Sequence, residues 1–477
     1  MISATQSQQY ARARLSRDPR FDGCFYVAVR TTGIFCRPIC PARLPAEANV
    51  TYYHYAQQAI EQGFRPCLRC RPDSAPGSFA WQGVNTTVQR ALKLLSNELA
   101  TPIATIATRL GISERYLNKL ISAEVGVSPK RFQLHSRLLF AKRLLQQTSM
   151  PVTDIAVAAG FSSERGLQSH LHTQFRLTPT QLRGKHNAVK ESAVKESAVE
   201  ASAVGSTVMQ VVLAAKQPYN WPQVRDFLRV RALSGVEQVT DSAYHRQFLI
   251  DDKPGEVVAT YDAAKGGFMV RLLVAHAAHI QPILTTLRRV LDVDTDPALV
   301  SEALLSCGLR PAQVTPGLRL PGVWSVFEAG CRAIVGQQVS VGAAITQLQR
   351  ITDTLGLPTR TGKVFPSAEA VADNPLDMLK MPGARKQALV RFAQACVARD
   401  AGELTDDEIL AIKGIGPWTL EYIRMRGRSD PDRFLSSDLI AKRQAAKLAI
   451  DAQKAAPWRS YLTLQLWLLA GQQQEDA

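Results

Sequence analysis

Two groups of residues place reactive side chains at telling intervals. In "TTGIFCRPICPARL" and "GFRPCLRCRPD", Cys36 and Cys40 form a C-x3-C pair, Cys67 and Cys70 form a C-x2-C pair, and 26 residues lie between the pairs. Two short thiolate pairs that a fold brings together make the tetrahedral four-sulfur cage favoured by one Zn²⁺. Arg37, Arg43, Arg65, Arg69 and Arg71 surround them. Four thiolates on one Zn²⁺ carry a formal charge of about −2, which makes sulfur more nucleophilic, and guanidinium groups pair with phosphates. The site reads as a nucleophilic sulfur held beside a nucleic-acid backbone, a purely structural zinc knuckle being the plainer alternative. A zinc nucleobase deaminase also uses P-C-x-x-C, but it needs an upstream H-x-E. The nearby upstream histidine, His54, has no acid two residues on.

The second group lies near the other end. "LAIKGIGPWTLEYIRMRG" sets a Gly-Ile-Gly turn between two helical patterns. Backbone N–H groups of such a hairpin, around Gly414 and Gly416, converge on a phosphate without reading sequence, although the tripeptide alone fits an ordinary helix-helix turn equally well. Twenty-two residues beyond Gly416, "RFLSSDLIAKR" puts Asp438 at a helix N-terminus, where the helix dipole favours a carboxylate. Ser436, Ser437 and Asp438 all suit the N-cap there. Trp418, Tyr422 and Trp467 offer aromatic faces, though each alone also fits a core.

The elements that must position these groups belong to several domains, because 477 residues with 46% hydrophobic content exceed one core. No export signal and no apolar run long enough to span a bilayer is legible, so a cytoplasmic protein with free thiols is expected. The net charge of +16 is uneven: residues 1–186 hold 24 Lys/Arg against 10 Asp/Glu, and residues 207–477 hold 31 against 28. A basic front fits a polyanion through counterion release, a merely soluble basic surface being the alternative. Residues 188–206, "AVKESAVKESAVEASAVGS", are a degenerate repeat too poor in large apolar groups to build a core, and read as a linker.

Between residues 84 and 183 a diverged repeat recurs. Ala107 and Gly111 in one copy match Ala156 and Gly160 in the other, each followed by an apolar position (Leu117, Leu167) and then a helix start with Pro at its first position, Ser128-Pro129 and Thr178-Pro179. A small residue where two helices cross and a glycine entering the turn at positive φ are what a helix-turn-helix requires. Recognition helices would begin near Ser113 and Ser163 and expose Arg115, Asn118, Lys119, Glu164, Arg165 and Gln168. A helical bundle with a solvated basic face is the alternative.

These motifs carry three resemblances. The double repeat with "GFSSERGLQSHLHTQFRLTPTQLR" resembles the AraC-type DNA-binding domain, although Leu167 stands where that family usually has an aromatic residue. The stretch from "RDPRFDGCFYVAVRTTGIFCRPICPARL" to "GFRPCLRCRPD" resembles the Ada-type N-terminal domain, which implies that Cys36 irreversibly accepts a methyl group from a methylphosphotriester while Cys40, Cys67 and Cys70 remain ligands. The Pro-Cys-His-Arg run of Ada-type O6-methylguanine transferases does not occur, and Cys307, Cys331 and Cys396 sit in helix-packing contexts. Residues about 208–472, including "RLPGVWSVFEAGCRAIVGQQVSVGAA" and "PWRSYLTLQLW", resemble the AlkA-type helix-hairpin-helix glycosylases, 3-methyladenine DNA glycosylase II.

The last resemblance implies removal of N3- or N7-alkylated purines after base flipping, with Asp438 as the catalytic carboxylate, Trp418, Tyr422 and Trp467 as the pocket, and Gly414 and Gly416 as the phosphate clamp. Trp418 after "GIGP" replaces the Schiff-base Lys of lyase relatives and implies a monofunctional enzyme, while the lack of cysteines after Cys396 implies no iron-sulfur cluster. The wedge that fills the vacated stack is often Leu in this family and here is Gln338.

The expected architecture is multidomain: a small zinc-bound α+β domain (1–76), an all-α double helix-turn-helix domain (80–186), a flexible linker (187–206), an α+β domain (207–285) and an all-α helix-hairpin-helix glycosylase domain (286–477). Double-stranded DNA is the expected partner, with RNA polymerase as a second if the front half activates transcription; no membrane contact and a monomer are expected. The alternatives are a regulator whose rear half only holds DNA, and a repair enzyme whose front half does not signal.

Overall fold

The computed structural model describes residues 2, 4–17, 21, 25–40, 42–67, 70, 72, 86–97, 99–183, 207–399 and 404–475. The expected linker, Cys24, Arg69 and Arg71 lie outside the described residues. The chain forms two compact units, one from Met1–Ala214 with Val274–Thr285 and the other from Ala215–Leu273 with Thr286–Ala477.

The first unit opens with a four-stranded sheet of β1 (Tyr26–Val29), β2 (Ile34–Cys36), β3 (Val50–Tyr53) and β4 (Arg65–Pro66), in the order β3-β1-β2-β4. Every residue of β1 is buried because both faces of the sheet are covered. Tyr26, Ala28 and Phe35 pack with Ala56, Ala59 and Ile60 of helix Ala56–Glu61, while Val27, Phe25 and Tyr52 pack with Tyr10 and Ala13 of helix Ala4–Ser16. Strand β2 runs antiparallel to β1 but parallel to β4, pairing Phe35 with Pro66. That parallel pair brings the end of the first cysteine hairpin beside the start of the second.

The same unit continues as helices. Thr86–Asn97 precedes two pairs, Ile103–Arg109 with Glu114–Val125 and Val152–Ala158 with Glu164–Phe175, joined by the 19-residue helix Pro129–Gln147. The repeat's logic is visible in the backbone: Gly111 and Gly160 enter their turns at φ of 71° and 76°, and Ala107 and Ala156 are buried. Ser113, Ser128 and Ser163 cap the helices that follow, accepting from the N–H of Tyr116 (3.2 Å), Arg131 (3.3 Å) and Gly166 (3.1 Å). Leu117 and Leu167 are both fully buried, so Leu167 fills the core where an aromatic residue is usual. Strand β5 (Thr207–Ala214) is the next described element.

In the second unit, β6 (Glu237–Val239), β7 (Ala243–Ile250), β8 (Lys253–Asp262) and β9 (Gly267–Val274) pair antiparallel in chain order. "FMVRLLV" is thus the expected strand, and "HIQPILTTLRRVLDV" contains the expected helix, Ile280–Val290. From Pro297 onward helices dominate. They enclose two cores, one around Ile334, Leu389 and Phe392, the other around Leu435, Leu462 and Leu464, and Trp418 and Tyr422 pack against both.

A buried four-charge cluster ties the sheet to the helices. Glu237 on β6 pairs with Arg246 on β7 (2.7 Å) and with Arg332 (2.9 Å), and Glu328 pairs with Arg332 (2.7 Å) on helix Val326–Val335 and with Arg246. Burial alone would raise the Glu237 carboxyl, but Arg246 and Arg332 bring it down to about 2. Among the described residues no helix is long and apolar enough to cross a membrane.

Candidate functional sites

The sulfur centre follows from the parallel strand pair. Cys36 ends β2, Cys40 closes a turn through its N–H to the Arg37 carbonyl (3.1 Å), and Cys67, after β4, donates its N–H to the Phe35 carbonyl (2.9 Å). The four sulfurs of Cys36, Cys40, Cys67 and Cys70 lie within 4.8 Å of one another. A tetrahedron with Zn–S bonds of about 2.3 Å has sulfur–sulfur edges of about 3.8 Å, so the donor set and its spacing fit one zinc ion.

The four are not equivalent. Cys40, Cys67 and Cys70 are buried and Cys36 is half-exposed. The Cys70 sulfur accepts the Arg37 backbone N–H at 3.3 Å, which spreads its charge. Hydrogen bonding with the Cys67 and Cys70 sulfurs, and then burial, push the Cys36 thiol far up, as expected of a cage that needs a cation to hold thiolates. Arg37 and Arg65 are half-exposed and Arg43 is exposed around this centre.

A contact not legible in the sequence docks the cysteine domain on the helices. Glu61 at the end of helix Ala56–Glu61 accepts from Arg131 Nε at 2.6 Å and lies 3.0 Å from Nε2 of buried His135, both on helix Pro129–Gln147. Burial lowers the His135 pKa, against the opposing pull of Glu61. Tyr55 packs against the core of the first helix-turn-helix. A lone His and a lone Glu separated by 74 residues offer no sequence pattern.

Of the expected recognition residues, Arg115, Lys119, Arg165 and Gln168 are exposed, and Asn118 and Glu164 are half-exposed. Gln168 donates to Glu164 (2.7 Å), and Asn118 bonds the Glu114 carbonyl (3.4 Å). Tyr116, 49% exposed beside Arg115, is an aromatic candidate that the sequence reading missed.

In the second unit the Gly-Ile-Gly turn links helix Asp406–Leu410 to helix Pro417–Tyr422. Gly414 has φ of 101°, and a Cβ there would sit 2.6 Å from that of Ala388 on helix Gly383–Ala398, so only glycine allows both the turn and its seating. Gly416, extended at φ of −112°, precedes Pro417 at the helix start. After Tyr422 the helix widens into a π-turn over Ile423–Gly427.

Asp438 is the N-cap of helix Leu439–Lys447, and the structure brings it together with two of the three expected aromatics. Its Oδ1 accepts from the N–H of Ile440 (3.1 Å) and Ala441 (2.9 Å) and from Trp467 Nε1 (3.0 Å), while its Oδ2 accepts from Trp418 Nε1 (3.2 Å). Capping and display are therefore divided between the two oxygens. Asp438 itself is half-buried, between exposed Ser437 and Leu439. Tyr422 stacks on Trp418 with centroids 5.4 Å apart, which occupies one face of each ring.

Behind this stack lie residues that sequence reasoning did not single out. The Arg426 guanidinium sits 5.8 Å from the Tyr422 ring centre and 4.5 Å from that of Phe227, and Arg231 covers Phe227 at 3.8 Å. Burial, and then Arg426, bring the Arg231 pKa down to about 10. Gln338 is exposed at a loop tip with φ of 56°, a left-handed backbone unusual for a non-glycine residue. Its neighbour Gln337, passed over in the sequence, bonds both Gly414 and Thr419.

Comparison with known proteins covers these regions separately and together. Residues 9–73 match the family described as metal binding domain of Ada, residues 88–185 a helix-turn-helix domain, and residues 210–325 the AlkA N-terminal domain. Escherichia coli DNA-3-methyladenine glycosylase 2 is 33% identical over 54% of this chain and 97% of its own length. Escherichia coli "Bifunctional transcriptional activator/DNA repair enzyme Ada" is 36% identical over 37% of this chain and 49% of its own. A Mycobacterium tuberculosis protein called "Probable bifunctional transcriptional activator/DNA repair enzyme AlkA" is 36% identical over 96% of this chain and 95% of its own. Because that likeness runs almost end to end in both proteins, front and rear halves alike, the chain belongs to the family of bifunctional transcriptional activator/DNA repair enzymes of the AlkA type.

Proposed function

We propose that this protein repairs alkylated DNA and regulates the response to it: a zinc-held cysteine accepts methyl groups from phosphotriesters, a double helix-turn-helix binds duplex DNA, and a glycosylase excises N3- or N7-alkylated purines. The observation that carries the glycosylase reading is the Asp438 carboxylate, half-buried and fixed by indole N–H groups from Trp418 and Trp467.

An alkylated purine is cationic, so its glycosidic bond breaks with little acid help once the nucleotide is flipped out. Trp418 and Tyr422 supply electron-rich rings for that cation at the junction of the two cores. As the C1′–N bond lengthens, its electron pair leaves with the base and positive charge develops on the sugar. Asp438 Oδ2, which among the described residues accepts from Trp418, is the oxygen that faces this charge, while Oδ1 is committed to the helix N-terminus and Trp467. Water adds at C1′ and loses a proton, leaving an abasic site. Backbone N–H groups of the Gly414–Gly416 turn grip a flanking phosphate, and Gln338 at its loop tip enters the vacated stack.

At the front, Cys40, Cys67 and Cys70 would hold one zinc ion together with Cys36. When bound, zinc keeps the cage sulfurs as thiolates. Cys36, the half-exposed member, attacks the methyl carbon: a sulfur–carbon bond forms, the carbon–oxygen bond breaks, and the electron pair stays on the phosphodiester oxygen. The product thioether carries no charge, so repulsion from DNA falls and the adjoining helix-turn-helix domain binds more tightly. Arg37, Arg43 and Arg65, with Arg69 and Arg71, supply phosphate contacts, and Arg115, Asn118, Lys119, Arg165 and Gln168 face the major groove. RNA polymerase is the partner of the activating state, and the chain works as a monomer in the cytoplasm without an iron-sulfur cluster.

The test is excision of methylated purines from an alkylated duplex, run beside mass spectrometry of Cys36 after exposure to methylphosphotriester DNA and a promoter reporter. Promoter response without excision would leave a regulator whose rear half only holds DNA.

A further inference from the structure

We propose that Gln337 is a positioning residue for base flipping: its side-chain amide locks the loop that carries Gln338 to the hairpin and to the helix that carries Trp418. It rests on the glycosylase reading above and deepens it.

One NH₂ group makes both bonds. Gln337 Nε2 donates to the Gly414 carbonyl at 3.1 Å and to Thr419 Oγ1 at 3.0 Å. Gly414 cannot shift independently, because it is seated against Ala388. Thr419 is buried beside Trp418, whose indole holds Asp438. On the other side, the backbone turns into the left-handed region at the very next residue, Gln338, before Ser340 caps helix Val341–Leu355. The two N–H groups of one amide thus set the height of the loop tip relative to the hairpin and to the carboxylate. Few side chains can replace it. Glu has the same length but no donors when ionised, Met has the length and no polarity, and Asn is one methylene too short to reach both acceptors.

Two neutral hydrogen bonds, each worth about fivefold, give an effect of about 25-fold. In the full-length protein, Gln337→Met should lower the single-turnover excision rate of 7-methylguanine by about that factor, and should lower equally the fluorescence rise of a 2-aminopurine placed beside the lesion, which reports flipping. Binding to undamaged duplex should change less than about twofold, because the hairpin contact reads only backbone. Gln337→Glu should behave like Gln337→Met. Thr419→Val, an isosteric change, should cost about fivefold in flipping alone and nothing more when added to Gln337→Met.

Wild-type flipping in both Gln337 variants overturns the proposal, and so does slowed excision with an unchanged fluorescence rise. Additive losses in the Thr419 double variant overturn it even if Gln337→Met proves unstable. Asp438→Asn run in parallel should flip normally while excising about 10²- to 10³-fold more slowly. If it excises normally, the parent reading of Asp438 falls while the flipping measurements on Gln337 still stand or fall by themselves.

Discussion

Replacing Asp438 by Asn removes one charge and almost no volume, and the structure separates what this does to stability from what it does to chemistry. The amide oxygen still accepts from the N–H groups of Ile440 and Ala441 and from Trp467, so the cap survives. The new NH₂ faces the Trp418 indole N–H, donor against donor, where Oδ2 accepted at 3.2 Å. That mismatch costs about 1–2 kcal/mol, and loss of charge at the helix start about 0.3–1 kcal/mol. The melting temperature should fall by a few degrees, leaving the protein folded at assay temperature. On the proposed mechanism, catalysis loses the charge that opposes the developing sugar cation, a contribution of about 3–4 kcal/mol at a half-buried site, or about 10²- to 10³-fold in rate. The assay is single-turnover excision from a duplex with one 7-methylguanine, at saturating enzyme, with calorimetry alongside. The loss should be larger for a neutral damaged base, whose departure depends more on the enzyme. Excision within tenfold of wild type, with the melting temperature lowered as calculated, would refute the electrostatic role of this residue.

Other outcomes follow from the same geometry. Cys36→Ala should abolish the mass gain of about 14 Da on exposure to methylphosphotriester DNA while the three buried cysteines retain zinc with reduced affinity, measured by mass spectrometry and metal analysis. Glu237 is held near 2 in the folded state against 4.5 for the free side chain, so its contribution of about 3 kcal/mol is fully present above pH about 4.5 and is lost as the pH falls toward 2. Urea unfolding of the second unit at pH 5 and pH 3 reads this, and equal stability at both would contradict it. Glu61→Ala leaves His135 buried without its carboxylate, and should speed hydrogen exchange along helix Pro129–Gln147 by an opening cost of about 1–3 kcal/mol.

What the sequence disclosed and what it concealed divide along a physical line. Cysteine spacing, the paired Ala and Gly of the repeat, and the serines before each helix act over a few residues, so they could be read directly. The parallel pairing of β2 with β4 that closes the sulfur cage depends on chain crossings that spacing does not specify. Asp438 was legible as a helix start, with Ser436 and Ser437 as rivals; its choice as the cap is settled by tertiary contacts from residues 20 and 29 positions away. Gln337 was not legible, because two adjacent glutamines differ only in where the fold aims them. The buried charges are the opposite of what alternation predicts, since Arg246 lies in a strand yet is 2% exposed, stabilised by partners on another element.

That inward-facing quartet has a bearing on how the rear half can be inherited or engineered. Glu237 and Arg246 come from the sheet, Glu328 and Arg332 from a helix some 80 residues later in the chain, and the pair within each element is joined to the other across the seam by Glu237 with Arg332 and Glu328 with Arg246. A truncated gene that began after the sheet would leave Glu328 without Arg246 and Arg332 without Glu237 on a surface that is buried in the intact protein. Transplanting these helices from one relative to another therefore requires moving sheet and helices as a single cassette.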